Sequence, residues 1–282
     1  MKVILLSDIH FEIYKYDPLL MQELNNIIKF KNEQKCPLFL CGDILKHFLL
    51  NQVFEEFYKN DISGHKTFYI MGNHEHYGKE LEKNIRKFDE YFKEMNQKYG
   101  EKVIFLNDDI YHLNDDISII GSTLWTNMNN QNPDVMNSAE TWMNDYSSIK
   151  FFNKITSSYP SRLRATDTIK INETSFEYIK QQIELNDKKF IIMTHHAPSE
   201  KSVHERFYGN KEGELINHCY YSNYDDFITK NTNKIIAWFH GHTHEPFEYN
   251  IAKTKIFCRP VGYIQQRQKH EELDLTKHLI NI

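Results

Sequence analysis

The chain has 282 residues, of which 40% are hydrophobic and 14% aromatic, and its formal net charge is −5. This length and composition agree with one packed domain, since α/β folds routinely reach this size, and the chain lacks the Lys and Arg excess of proteins that bind extended nucleic acid. No apolar stretch approaches the ~20 residues that span a bilayer, and four cysteines without CxxC spacing predict reduced thiols and a cytoplasmic setting.

Short apolar runs predict the strands, and capping residues with amphipathic periodicity predict the helices. Asp17 and Pro18 read as the N-cap and first position of a helix that runs to about residue 31. The other predicted helices cover 46–59, 79–98 and 173–185. The predicted strands cover 3–6, 38–40, 67–70, 103–106, 117–120, 190–193, 235–239 and 251–258.

Two segments show little periodicity, residues 122–166 and 199–231. We predict that they are irregular, cap-like insertions in a single domain that spans 1–282, because long irregular segments of compact domains commonly serve as lids or binding loops. The alternative is that they are ordered but purely structural. Neither internal repeats nor a low-complexity linker divides the chain.

Polar motifs follow five of the predicted strands, at the edge where open α/β sheets bind ligands. Taken singly, each motif has an ordinary structural explanation, such as a turn at Gly-Asp or a packed pair at His195-His196. Their joint order favours a site for two divalent ions. The five are Asp8-Ile9-His10, Gly42-Asp43, Gly72-Asn73-His74-Glu75, His195 and Gly241-His242-Thr243-His244.

Imidazole and carboxylate ligands suit Mn, Fe, Co, Ni and Zn, and the absence of Cys from the motifs disfavours a thiolate zinc site. Two neighbouring cations repel, so an anion must bridge them, and Asp43 is the natural candidate. Asp8 and His10 have the spacing to reach one ion. Asn73 adds a neutral amide oxygen. His242 and His244 can serve one ion each.

The order of these motifs resembles that of the calcineurin-like metallophosphoesterase superfamily over residues 3 to about 263. The resemblance implies a four-layer αββα sandwich with two mixed sheets and a dinuclear metal site at the strand ends. It places Asp8, His10 and His244 on the first metal and Asn73, His195 and His242 on the second. Asp43 would bridge them, and His74 would be a non-ligand acid facing the leaving group.

The resemblance further implies a phosphoesterase that hydrolyses a small phosphodiester or nucleotide-type phosphate ester through a metal-bridging hydroxide. Mn²⁺ is the expected ion, with Fe, Zn, Ni or Co as alternatives. The stretches 121–126, 194–199 and 238–244 look like an uncharacterised bacterial or phage-type branch. No membrane partner is expected, and the oligomeric state stays open.

Two departures argue against the Ser/Thr protein phosphatase branch. Many members carry a second Asp three residues after the bridging one, where this chain has Lys46, and the Asp-X-His motif is not followed by Gly. A nuclease acting on single-stranded nucleic acid and a non-catalytic scaffold remain alternatives. Trp125, His196, His204 and Arg206 are the candidate substrate-binding residues, although packing and solvated surface charge also explain them.

Overall fold

The computed structural model describes residues 1–14, 18–152, 159–209, 211–263 and 273–282. The strands of its first sheet are β1 (Lys2–Leu6), β2 (Leu38–Cys41), β3 (Thr67–Ile70), β4 (Val103–Phe105) and β13 (Leu279–Asn281). Their order is β13-β1-β2-β3-β4, in which β1 to β4 are parallel and β13 is antiparallel to β1.

The strands of the second sheet are β5 (Asp109–His112), β6 (Ile117–Ser122), β9 (Lys189–Thr194), β10 (Ile235–His240), β11 (Phe247–Ile251) and β12 (Thr254–Cys258). Their order is β11-β12-β10-β9-β6-β5, with four parallel strands between two antiparallel edge strands. The segment 251–258, predicted as a strand with a turn at 252–254, contains the hairpin turn at Ala252 and Lys253 between β11 and β12.

The two sheets pack face to face, because alternate residues of their strands are apolar on the shared side. Val3 and Leu5 of β1 meet Ile191 and Met193 of β9 in one buried cluster. The intervening residues of each sheet face helices instead, so both faces are buried. The first sheet is covered by α1 (Leu19–Gln34), α2 (Leu50–Asn60) and α3 (Leu81–Tyr99), and the second by α7 (Ala165–Leu185) and α9 (Asp225–Lys230).

This arrangement confirms the predicted four-layer sandwich with two mixed sheets. The predicted Asp17 N-cap lies outside the described residues, and the helix expected at 46 opens with a 3-10 turn at His47–Leu49. In the part of the chain that is described, no helix is both long and apolar enough to cross a bilayer.

The segment 122–166 is more regular than its sequence predicted. Asn132 caps a helix by accepting from the amides of Asp134 and Val135, with Pro133 in the first turn. The helix expected to begin near 173 begins at Ala165, where the Asp167 carboxylate accepts from the Arg164 amide. The elements are α4 (Met128–Gln131), a single left-handed turn in which all four residues have positive φ, α5 (Pro133–Trp142), α6 (Asp145–Ser148), β7 (Lys150–Phe151) and β8 (Ser161–Arg162).

The second insertion contributes 3-10 turns at Glu200–Ser202 and Glu205–Phe207 and the helix α8 (Lys211–Asn217). Helix α8 packs on α5, so the two insertions meet. Their shared cluster includes Trp125, Tyr146 and Cys219. Residues of both segments, among them Trp142 and Tyr220, line the space above the strand ends, where the motif residues also lie.

Candidate metal centre and active site

The loops that carry the motifs hold unusual backbone conformations. Asp8, His10, Asp43, His242 and His244 all have positive φ, between 52° and 69°. A non-glycine residue in this left-handed region costs about 1–3 kcal/mol, and such residues cluster at functional sites where surrounding contacts fix them. Five of the seven predicted metal ligands are therefore held in strained positions by the fold.

The glycines that precede the ligands have no room for a side chain. Gly42 has a φ of +82°, and a Cβ there would lie 2.5 Å from His195 Nδ1 and 2.7 Å from the Gly72 amide nitrogen. A Cβ on Gly72 would overlap Asp43 Oδ1. The Gly in Gly-Asp and in Gly-Asn-His-Glu thus lets two loops close on His195.

One group of ligand atoms comes from Asp8, His10, Asp43 and His244, and these atoms all lie within 4.8 Å of one another. His10 Nε2 is 3.2 Å from His244 Nε2 and 3.9 Å from Asp43 Oδ2. His244 Nε2 is 3.5 Å from Asp8 Oδ1. The backbone N–H of His242 donates to both oxygens of Asp8, at 3.0 and 3.1 Å, and orients that carboxylate.

A second group contains Asp43, His195 and His242, again with ligand atoms within 4.8 Å. His195 Nε2 is 3.1 Å from His242 Nδ1 and 3.4 Å from Asp43 Oδ2. It is also 2.9 Å from Asn73 Oδ1. Asp43 belongs to both groups, which is the position required of a bridging ligand.

The donor set fits two divalent cations. In each group two imidazole nitrogens converge at 3.1–3.2 Å, which is close to the separation of two ligands that are each about 2.0–2.1 Å from one metal. His195 Nδ1 lies 2.9 Å from the Cys41 carbonyl, so it donates there and turns the Nε2 lone pair inward. Within the described residues, the buried His242 Nε2 makes no hydrogen bond.

The electrostatics of the cluster favour bound positive charge. Burial would raise the pKa of Asp43, but His195 and His74 hold it well below its ordinary value. Burial likewise opposes the protonation of His195, yet Asp43 outweighs it and raises the His195 pKa to about 10. Burial and neighbouring histidines lower the pKa of His242 well below its ordinary value, which favours the neutral form that binds metals.

Glu75 ties the motif loops together, a role that the sequence did not reveal. Its buried carboxylate accepts hydrogen bonds from the amides of Gly72, Asp43 and Ile44 at 2.8, 3.1 and 2.9 Å. The Tyr69 hydroxyl donates a fourth at 2.9 Å. Its position as the last residue of the Gly-Asn-His-Glu motif is the sequence feature that could have indicated this role.

Asp145 of α6 was also missed, and no local pattern marks it. The Asn73 amide nitrogen donates to Asp145 Oδ1 at 2.7 Å, and the Tyr77 hydroxyl donates to the same oxygen at 2.7 Å. Because the amide nitrogen of Asn73 is engaged there, its oxygen faces His195. Burial raises the pKa of Asp145, opposed by these hydrogen bonds. The first insertion thus orients a candidate ligand.

His74 lies beside the two groups and not between them. Its backbone N–H donates to Asp43 Oδ1 at 2.8 Å, and its ring stacks on Tyr77 with centroids 4.3 Å apart. Nδ1 is 3.0 Å from Glu12 Oε1, and Nε2 is 3.9 Å from Asp43 Oδ2. Burial lowers the His74 pKa, but Asp43 and Glu12 outweigh it and raise the pKa to about 9.

A cavity of about 860 Å³ opens above the cluster and is lined by Asp43, Asn73, His74, His242 and His244. Of the candidate substrate-binding residues, His204 and Arg206 line it, and Arg206 pairs with Glu245. The exposed Trp142 also lines it, although the sequence did not single it out.

The substrate-binding roles of Trp125 and His196 stay predictions, and the structure places both side chains away from this cavity. Both side chains are 2% exposed, and neither lines this cavity in the described structure. Trp125 packs on His196, which packs on His242, with ring centroids 5.2 and 4.3 Å apart. The two residues therefore pack behind a candidate ligand, and Trp125 also lines a separate cavity of about 570 Å³ with His76 and Thr123.

Comparisons with known proteins agree with this architecture. The model of the calcineurin-like phosphoesterase family matches residues 1–246. An uncharacterized protein of Acanthamoeba polyphaga mimivirus is 32% identical over 269 residues, which cover 92% of this chain and 91% of that protein.

Two solved structures share the fold. Phosphopantetheinyl hydrolase from Mycobacterium tuberculosis aligns with a TM-score of 0.61 and 13% identity, and the alignment covers 97% of this chain and 94% of the hydrolase chain. A dimetal phosphatase from Danio rerio aligns with a TM-score of 0.53 and 10% identity, and the alignment covers 92% of this chain and 86% of the phosphatase chain. At these identities the two likenesses bear on the fold alone. The family match over residues 1–246 shows that the chain belongs to the calcineurin-like phosphoesterase family and is a phosphoric ester hydrolase.

Proposed function

We propose that this protein hydrolyses a small phosphodiester or nucleotide-type phosphate ester with the help of two divalent cations, Mn²⁺ being the first choice. The observation that carries the proposal is the pair of ligand groups that share Asp43 on the floor of an open cavity. Such cations, when bound, supply a water nucleophile at neutral pH and offset the charge of the phosphoryl group.

The side chains divide the remaining work. Asp8, His10 and His244 would hold one cation, and Asn73, His195 and His242 the other, with Asp43 on both. His74 would protonate the leaving oxygen, since it borders the cavity without belonging to either group that contains Asp43.

The cavity supports a substrate of small-molecule size. Its volume of about 860 Å³ lies within the range of roughly 300–1,000 Å³ that is usual for such sites. Trp142 and Phe207 line it while 69% and 43% exposed, so their rings are available for stacking. An aromatic group such as a nucleobase suits this wall.

Four free buried cysteines support the cytoplasmic setting that is part of the proposal.

Metal removal tests the proposal. Protein stripped with a chelator is expected to lose hydrolysis, and added Mn²⁺ is expected to restore it, because the ligand groups supply only nitrogen and oxygen donors. The assay panel contains phosphomonoesters, linear diesters, cyclic nucleotides and single-stranded DNA. Full activity in excess chelator contradicts the proposal. Preferential cleavage of the DNA would favour the nuclease alternative.

Substrate selectivity is expected to depend on the cavity wall. Trp142→Ala and Arg206→Ala should each raise KM for the best ester of the panel by about 10-fold, the effect of about 1.4 kcal/mol of binding free energy. Metal content and hydrolysis of a small generic ester should change little. Leu185→Ala, which truncates another exposed apolar side chain at the end of α7, is the control for Trp142→Ala. Unchanged KM values in both cavity variants would place selectivity elsewhere.

A further inference from the structure

Glu12 lies next to the candidate metal site, behind His10 and His74, and has no place in the proposed ligand set. It belongs to the 3-10 turn Phe11–Tyr14 that follows the Asp8-His10 loop, where the chain departs from the family pattern by lacking Gly. Its side chain is 7% exposed. Its Oε1 atom is 3.0 Å from His74 Nδ1 and 3.3 Å from His10 Nδ1.

A buried carboxylate is costly unless hydrogen bonds satisfy it, so both imidazoles are expected to present Nδ1–H to Glu12. Each ring then turns its Nε2 atom toward the candidate metal site. His10 Nε2 lies 3.2 Å from His244 Nε2, and His74 Nε2 lies 3.9 Å from Asp43 Oδ2. One carboxylate thereby sets the orientation of both a candidate ligand and the candidate acid.

The loop after Asp43 does not provide a carboxylate for this purpose. Lys46 occupies the position three residues beyond Asp43, and its Nζ atom lies over the Tyr77 ring at 5.2 Å. Tyr77 in turn stacks on His74. Among the described ion pairs, Glu12 is the carboxylate that contacts Nδ1 of His74, and that nitrogen is the one that faces away from the site.

We propose that Glu12 is a positioning residue for His74, holding Nδ1 so that Nε2 is aimed at the leaving-group oxygen. The inference rests on the proposed function. In the step it serves, a water oxygen forms a bond to phosphorus and gives up one proton to solvent, the bond from phosphorus to the leaving oxygen breaks, and the proton on His74 Nε2 passes to that leaving oxygen. Glu12 keeps its charge and transfers no proton.

The test compares Glu12→Leu, which removes the acceptor, with Glu12→Gln, which keeps a carbonyl acceptor without the charge. Glu12→Leu should lower kcat on an alkyl phosphodiester by about 10–100-fold, which is the usual effect of losing a hydrogen-bond partner that orients an active-site side chain. Glu12→Gln should recover part of this loss. On a nitrophenyl ester, whose leaving group needs no proton, both variants should approach the parent protein. Glu94→Gln, on the exposed face of α3, is the control.

Metal content and a double variant separate this role from its rivals. Metal analysis should find two cations per chain in Glu12→Leu, and Glu12→Leu should cost nothing further in a His74→Ala background. Loss of a cation, or an equal loss of rate on both esters, would mean that Glu12 acts through His10 or binds metal with His10 and His74, and would overturn the proposal. An additive loss in the double variant would also overturn it.

A spectroscopic readout keeps the inference testable if the esterase assays fail. In the metal-free parent protein, ¹⁵N correlation spectra of the histidine rings should show His74 Nδ1 protonated, and its resonance should move in Glu12→Leu. An unchanged His74 resonance would refute the pairing with Glu12. Absence of hydrolysis by the metal-loaded parent protein would instead refute the proposed function.

Discussion

Asp43→Ala is expected to remove both cations and to lower hydrolysis by about 10³-fold or more, which corresponds to about 4 kcal/mol of transition-state stabilisation by the metals. The reason is geometric. Asp43 is the one residue common to the two ligand groups that would hold the metals, and its Oδ2 atom lies 3.9 Å from His10 Nε2 and 3.4 Å from His195 Nε2. In the variant, no carboxylate would lie between the two cations to offset their mutual repulsion.

Metal analysis of purified variants measures this effect. His244→Ala and His195→Ala should each reduce occupancy of one site, while Asp43→Ala should reduce both. Asp115→Ala, in an exposed turn between β5 and β6, is the control for loss of a carboxylate. Retention of one tightly bound cation in Asp43→Ala would show that Asp43 serves a single site and would contradict the shared position.

The sheets and the ligand loops were predictable because both depend on local patterns. Runs such as 3–6 and 190–193 are apolar throughout, as strands buried on both faces must be. The polar motif after each run then falls at the same edge of the fold. Gly42 and Gly72 mark loops that close too tightly for a Cβ.

The segments 122–166 and 199–231 were harder to interpret because their helices are short and carry polar and apolar residues on the same face. The pair Asn132-Pro133 is a recognisable helix start that was available in the sequence. Trp125 and Trp142 were not distinguishable by pattern, yet one is 2% and the other 69% exposed. Tertiary packing alone decides which of them reaches the cavity.

Glu12 and Asp145 were unpredictable for a related reason. Each acts on a residue that is distant in the chain, Glu12 on His74 and Asp145 on Asn73. Such contacts follow from the meeting of loops that belong to different elements. A single sequence contains no periodic signal for them, so the residues that orient a site are seen only when the fold is known.

His74→Ala should retain two cations, and its kcat on an ester with a poor leaving group should fall by about 10²–10⁴-fold, which is the usual contribution of a general acid. His74 borders the cavity, and its Nε2 faces the cluster at 3.9 Å from Asp43 Oδ2. Its ring is held from the other side by Glu12 and by stacking on Tyr77. The backbone N–H of His74 also orients Asp43, but that contact survives truncation of the side chain.

The leaving group decides between two roles for this histidine. An alkoxide departs only if it is protonated, whereas a nitrophenolate departs without a proton, so the loss in His74→Ala should shrink sharply on the nitrophenyl ester. His65→Ala, in an exposed turn outside the site, is the control for loss of an imidazole. Equal losses on the two esters, with metal content intact, would mean that His74 orients the phosphoryl group by hydrogen bonding and that the proton comes from another donor.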